Sequence, residues 1–154
     1  MPVRVLSRLL VLGIAGGAVF GFGNAVAFAD DPPPIEEEYD YPNADQIFKE
    51  RGILLKKGDG HILLVECAGR TDVVQVQSSS KGKFCFHINA NTGYLSLELP
   101  DTYLLKGDGK HSLQATVRIE AKVETRTVPK TEWIGVGEGE GRPAATLLEF
   151  RAAA

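Results

Sequence analysis

The sequence predicts an all-β protein: an antiparallel β-sandwich of immunoglobulin-like architecture, its topology left open, behind a signal peptide and an acidic linker. Three observations predict it. Apolar and polar residues alternate through much of residues 61–151, the period of strands that bury one face. Turn residues punctuate those runs, and no amphipathic helical stripe competes with them. The chain opens on a charged, then apolar, then small-residue stretch, as an export leader does.

In the leader, Arg4 and Arg8 precede an apolar run from Leu9 to Phe22, and Ala27-Phe28-Ala29 places small residues where signal peptidase requires them. Cleavage is expected between Ala29 and Asp30. The rival reading is a retained anchor, because the apolar stretch approaches the length of a bilayer-spanning helix. Its interspersed glycines and the Asp30-Asp31 pair behind it favour cleavage. Either way the remainder lies on the trans side. The expected location is therefore secreted or cell-wall associated, with no stable membrane span after cleavage.

Three segments follow: residues 1–29 as signal peptide, 30–46 as an acidic, Pro-rich linker, and 47–154 as the sandwich domain. Pro32-Pro33-Pro34 favours extended polyproline structure, and Glu36-Glu37-Glu38 resists burial. Tyr39 and Tyr41 read as riders on this arm. Asp45 to Glu50 has room for one helical turn.

The domain reads as about eight strands. His61 to Cys67 is a short apolar run, and Val73, Val74 and Val76 form the next. Phe84, Phe86 and Ile88 share one face of a third. Leu95, Leu97 and Leu99 share the inner face of a fourth, which follows the turn residues Asn91-Thr92-Gly93 and is expected to end at Pro100. From Leu113 to Val128 the alternation is too long for one strand. A hairpin with a three-residue loop, Glu120-Ala121-Lys122, keeps the faces matched and sets Ile119 opposite Val123 and Arg118 opposite Glu124. A last strand, Thr146 to Arg151, offers Leu148 and Phe150 to the core.

The 154 residues carry a formal charge of −3, and losing Arg4 and Arg8 makes it −5. Acids crowd residues 30–50, where Lys49 is the one base, and the rest is nearly neutral. Neither part is basic enough to argue for nucleic acid. Cys67 and Cys85 are the two cysteines, and in an oxidising compartment an isolated pair predicts a disulfide. A metal or redox centre would need more ligands or a Cys-x-x-Cys spacing.

Leu54 to His61 is echoed by Leu104 to His111, each with an Asp-Gly step before a strand. These read as two turns, because Asp closes its own turn and Gly tolerates positive φ. Calcium requires about six to eight oxygens, more than one Asp per loop supplies. Ile53 to Leu64, Gly93 to Pro100 and Val136-Gly137-Glu138-Gly139 carry a resemblance. In these stretches the chain resembles a group of small exported β-rich actinobacterial proteins of unassigned function. The resemblance implies export and a β-rich domain, and it brings no functional residues.

No catalytic, metal or cofactor constellation is expected. His61, His87 and His111 stand at no short ligand spacing. Ser78-Ser79-Ser80 lacks a nucleophile elbow. Gly135 to Gly141 is acidic and is followed by Arg142-Pro143, the wrong electrostatics for phosphate. It reads as a mobile surface loop or, more sharply, a recognition loop. The binding candidates are aromatic: Tyr94, Tyr103 and Trp133, whose rings suit sugar or protein contacts. Trp133 reads equally as a plug for one end of the sandwich. The expectation is a secreted, non-catalytic binding or cell-envelope module for an extracellular protein or a cell-wall polymer. The alternative is a protease inhibitor presenting Lys81-Gly82-Lys83 or Glu138 to Arg142, and a small hydrolase ranks last.

Overall fold

The computed structural model describes residues 37–154; the leader, the Ala29–Asp30 junction and the polyproline run lie outside the described residues. In chain order the elements are β1 (Tyr39–Asp40), α1 (Ala44–Arg51), β2 (Leu54–Gly58), β3 (Ile62–Val65), β4 (Val74–Ser78), β5 (Gly82–Ile88) and β6 (Gly93–Lys106). Then come β7 (Ser112–Ile119), β8 (Lys122–Val128), β9 (Trp133–Gly135), a 3-10 turn (Gly137–Glu140) and β10 (Ala145–Ala153). The fold is all-β and antiparallel, as the alternation predicts.

β6 organises the fold because it serves two layers. Its first half pairs with β2 on one side and β10 on the other, and β7 and β8 extend that layer beyond β10. Its second half pairs with β4 and β9, and β5 and β3 extend the second layer beyond β4. The changeover falls at Pro100-Asp101. Leu99 faces Leu147 and Thr102 faces Ala145, so β6 carries one residue more than β10 between those pairs. Asp101 takes a positive φ of 55°. Pro100 therefore bends β6 and does not end it. A bulged residue is not asked to donate to the ladder, so the missing N–H costs nothing there. Ser78 fastens the bend, its Oγ donating to the Pro100 carbonyl at 2.7 Å, and the Ser79 N–H donates to the Asp101 carbonyl at 2.9 Å.

The two layers close on one core. Phe86 of β5 and Phe150 of β10 meet edge to face, centroids 5.5 Å apart at 68°. Around them lie the inward residues of both layers, including Leu95, Leu97 and Leu99 of β6 and Val74 and Val76 of β4. The Arg51 guanidinium, at the end of α1, stacks on the buried Phe84 ring at 4.8 Å.

Four local expectations are corrected. The β7–β8 loop has two residues, Glu120-Ala121, so Ile119 faces Lys122, Arg118 faces Val123 and Val117 faces Glu124. Glu120 takes the positive φ, 54°, that a tight two-residue loop demands. The inward residue of β10 is Leu147, not Leu148. A register shift against β7 between Leu147 and Glu149 makes Leu148 the extra residue, so Ala145 and Leu147 point inward before the bulge and Phe150 and Ala152 after it. α1 runs for eight residues rather than one turn, and Gly52 closes it in the left-handed region with its N–H on Phe48 O. Ordered packing starts before Ile47: Tyr39 and Asp40 pair with Gly58 and Lys57, and the Tyr41 hydroxyl accepts the Leu64 N–H at 2.8 Å.

Cys67 and Cys85 form the predicted disulfide, with their Cα atoms 5.3 Å apart. It ties the segment just after β3 to the middle of β5, at a position that alternates with Phe84 and Phe86. Replacing both cysteines with alanine frees a loop of about 19 residues in the unfolded chain and should destabilise the domain by about 3 kcal/mol. Guanidinium unfolding of the two proteins checks this.

Candidate functional site

The register of the second layer assembles a surface that chain order hides. Val65 faces Cys85, Cys85 faces Gln75, Gln75 faces Lys106, and Lys106 faces Trp133. These partners form one row across β3, β5, β4, β6 and β9. A second row runs from Lys83 through Gln77 and Leu104 to Gly135. Side chains alternate along a strand, and Phe84, Phe86, Val74, Val76 and Leu105 point into the core. Both rows therefore face outward.

Trp133 stands at the edge of this face and is 38% exposed. The Lys106 ammonium lies 6.0 Å from its ring centroid, at the limit of a cation–π contact. Tyr103 is the extra residue of a second β6 irregularity, since Ser78 faces Thr102 while Gln77 faces Leu104. Its hydroxyl donates to Gln77 Oε1 at 2.8 Å, which fixes the phenol beside the amide row. The result is an indole and a phenol beside two amides and an ammonium. Such a face can stack on a ligand and exchange hydrogen bonds around the stack.

The glycine-rich segment braces this face. Sequence reasoning reads it as a mobile surface loop; the structure folds it into the 3-10 turn, packed on β6. Val136 N–H donates to the Tyr103 carbonyl at 3.0 Å. A Cβ on Gly139 would meet that same carbonyl oxygen at 2.0 Å, and one on Gly135 would meet the Gly139 carbonyl at 2.3 Å. These glycines are needed for close backbone approach. Nothing in the linear pattern distinguishes that use from a flexible linker.

Four charged side chains hold the far end of the segment. Arg126 donates to both carboxylate oxygens of Glu140, at 2.8 and 3.1 Å, and Arg142 donates to both of Glu124, at 2.7 and 3.2 Å. Hydrogen bonds from the two arginines hold both carboxyls below the usual carboxylate range, and the same bonds raise both guanidiniums. Glu138 to Arg142 is thus pinned to β8. Lys81 lies in the tight turn between β4 and β5, where its N–H donates to Ser78 Oγ at 3.1 Å. Gly82 takes φ 85°, and Lys83 is already within β5, opposite Gln77.

Tyr94 belongs elsewhere. It lies on the outer face of the first layer, opposite Arg151 of β10, whose guanidinium covers its ring at 4.5 Å. Burial, aided by the nearby Glu149 charge, pushes its hydroxyl pKa up. The structure puts Tyr103 and Trp133 on one layer, at β6 and the neighbouring β9, and Tyr94 on the other.

Each histidine has an aspartate beside it. His61 Nδ1 lies 3.3 Å from Asp59 Oδ2, His87 Nδ1 3.4 Å from Asp72 Oδ2, and His111 Nδ1 2.5 Å from Asp108 Oδ2. Gly60 and Gly109 carry positive φ in the two echoed turns. Among the described residues, no group of three or more His, Cys, Asp or Glu side chains is arranged to hold a metal ion. Among them, too, no helix is long and apolar enough to cross a membrane. No protein-family model matches the chain, and no curated protein matches it.

Proposed function

We propose that this protein is a non-catalytic binding module of the cell exterior, and that it takes a polyhydroxylated cell-wall polymer on the Trp133–Tyr103 face. One observation carries the reading: an exposed indole and an anchored phenol share an outward sheet face with Gln75, Gln77 and Lys106. Sugar rings offer an apolar C–H face to an aromatic and hydroxyls to amides. A sheet surface presents both along a line, which suits a chain-like ligand. The disulfide supports an oxidising location.

Trp133 is the chain's single tryptophan, so its fluorescence reports this face alone. Soluble peptidoglycan fragments should shift or quench that emission, and sedimented cell wall should retain the protein. Trp133→Ala should reduce retention at least about tenfold, the scale of losing one well-packed aromatic anchor. Its thermal midpoint should change little, because the ring is a rim residue. Equal retention of both proteins would remove the reading.

A further inference from the structure

We propose that two copies of this chain associate edge to edge through β8, antiparallel about Thr125, so that the first layer continues across a two-fold axis. Among the described residues β8 is the longest strand paired on one side only. The other strands that end a layer are short: β1 has two residues, β3 four and β9 three. β3 is also partly capped, since Tyr41 takes the Leu64 N–H. β8 has seven residues and pairs with β7 alone.

The tight loop fixes which groups β8 offers. Ile119 and Lys122 close the hairpin, so Lys122, Glu124, Arg126 and Val128 bond to β7. The N–H and C=O groups of Val123, Thr125 and Thr127 point to the open edge, and all three residues are exposed. A protein that left such an edge bare would invite unspecific pairing.

The side chains select one partner and one register. Centred on Thr125, a second copy sets Val123 opposite Thr127 and forms about six main-chain hydrogen bonds. In that register Glu124 of each copy faces Arg126 of the other, which continues the alternating charges that Glu140 and Arg142 already contribute. Moving the two-fold centre by one residue, a slide of two, sets Glu124 against Glu124 or Arg126 against Arg126. The strand is therefore self-complementary at one register and repulsive at its neighbours.

Single-cysteine scanning of the full chain tests this. The native cysteines are bonded to each other, so an introduced thiol is the one free thiol among the described residues. Thr125→Cys places two thiols in a directly opposed pair, with Cα atoms about 5.5 Å apart, within disulfide reach. Val123→Cys leaves its thiols about 13 Å apart, out of reach. Mild oxidation should convert most of Thr125→Cys to a covalent dimer and Val123→Cys at least tenfold more slowly. In sedimentation the parent chain should self-associate, and Thr125→Pro, which deletes an edge N–H that β7 does not use, should weaken association at least tenfold. Equal crosslinking at both positions, or association unchanged by Thr125→Pro, overturns the proposal. So does a parent chain that sediments as a monomer. None of these results touches polymer binding, which is read on the other layer by Trp133.

Discussion

Replacing Phe150 with alanine should destabilise the domain by about 4 kcal/mol and lower its thermal midpoint by roughly 10–20 °C. Phe150 is fully buried on β10, between β6 and β7, and its ring meets Phe86 across the two layers. Truncation removes the apolar surface it buries and leaves a void that both sheets would have to move to fill. β6 runs through both layers, so one layer cannot close on the void without dragging the other. A domain of this size is stable by only about 5–15 kcal/mol, so the loss is a large share of the total. Phe150→Leu keeps most of the volume and should cost less than half as much. A double-mutant cycle with Phe86→Ala should return a coupling of about 1 kcal/mol for the edge-to-face contact. Urea and thermal unfolding of the four proteins would settle it; additive losses at the two positions would deny that the rings act as a pair.

What the sequence made legible follows from where burial enforces a period. Phe84, Phe86 and Ile88, and Leu95, Leu97 and Leu99, each have a fully apolar inner face, and the structure buries them all. β8 lacks that enforcement. Its central inward positions are Glu124 and Arg126, whose partners Arg142 and Glu140 come from a distant turn, so apolar matching chose the wrong loop length. Leu148 failed for a related reason, because a bulge flips alternation without leaving a compositional mark. Pro100 was a sound stop signal locally, but the chain uses it to turn a corner between layers.

The candidate face was only partly legible. Tyr103 and Trp133 stand out as aromatics, but they are 30 positions apart. Only the β6–β9 register, which no local pattern encodes, puts them on one surface. Tyr94 fails as a partner for the same reason: it precedes the Pro100 bend and Tyr103 follows it, so one strand delivers them to opposite layers. The disulfide needed no topology, since two cysteines allow one pairing.

The echoed turns were legible as turns, yet the second holds a buried aspartate–histidine contact. Asp108 and His111 are 6% and 7% exposed. Asp108 Oδ1 accepts the N–H groups of Lys110 and His111 at 3.0 and 2.9 Å, and Oδ2 meets His111 Nδ1. His111 Nε2 lies 2.8 Å from the Ala90 carbonyl. Both ring nitrogens thus lie within hydrogen-bond distance of an oxygen. The pair knots the loop after β5 to the turn after β6, and the Gly107 and Gly109 N–H groups tie that turn to Pro129 and Lys130. Asp108→Ala should therefore cost about 3–5 kcal/mol, since it leaves a buried ring nitrogen and two backbone N–H donors without their partner. Burial alone would push the Asp108 carboxyl up, but the hydrogen bonds and charge of His111, with the Lys110 N–H, outweigh it and hold the carboxyl below its ordinary value of 3.8. Between the depressed native value and 3.8 the unfolded chain binds more protons, so stability rises with pH through that window. The contribution is complete above about pH 5 and is lost as pH falls through the native value. Asp108→Asn keeps the turn acceptor and removes the charge. Its stability should lie below the parent's at pH 7, and the gap should narrow as pH falls toward 2. Urea unfolding at stepped pH reads the difference, and parallel curves for the two proteins would show that Asp108 takes no part in the acid limb.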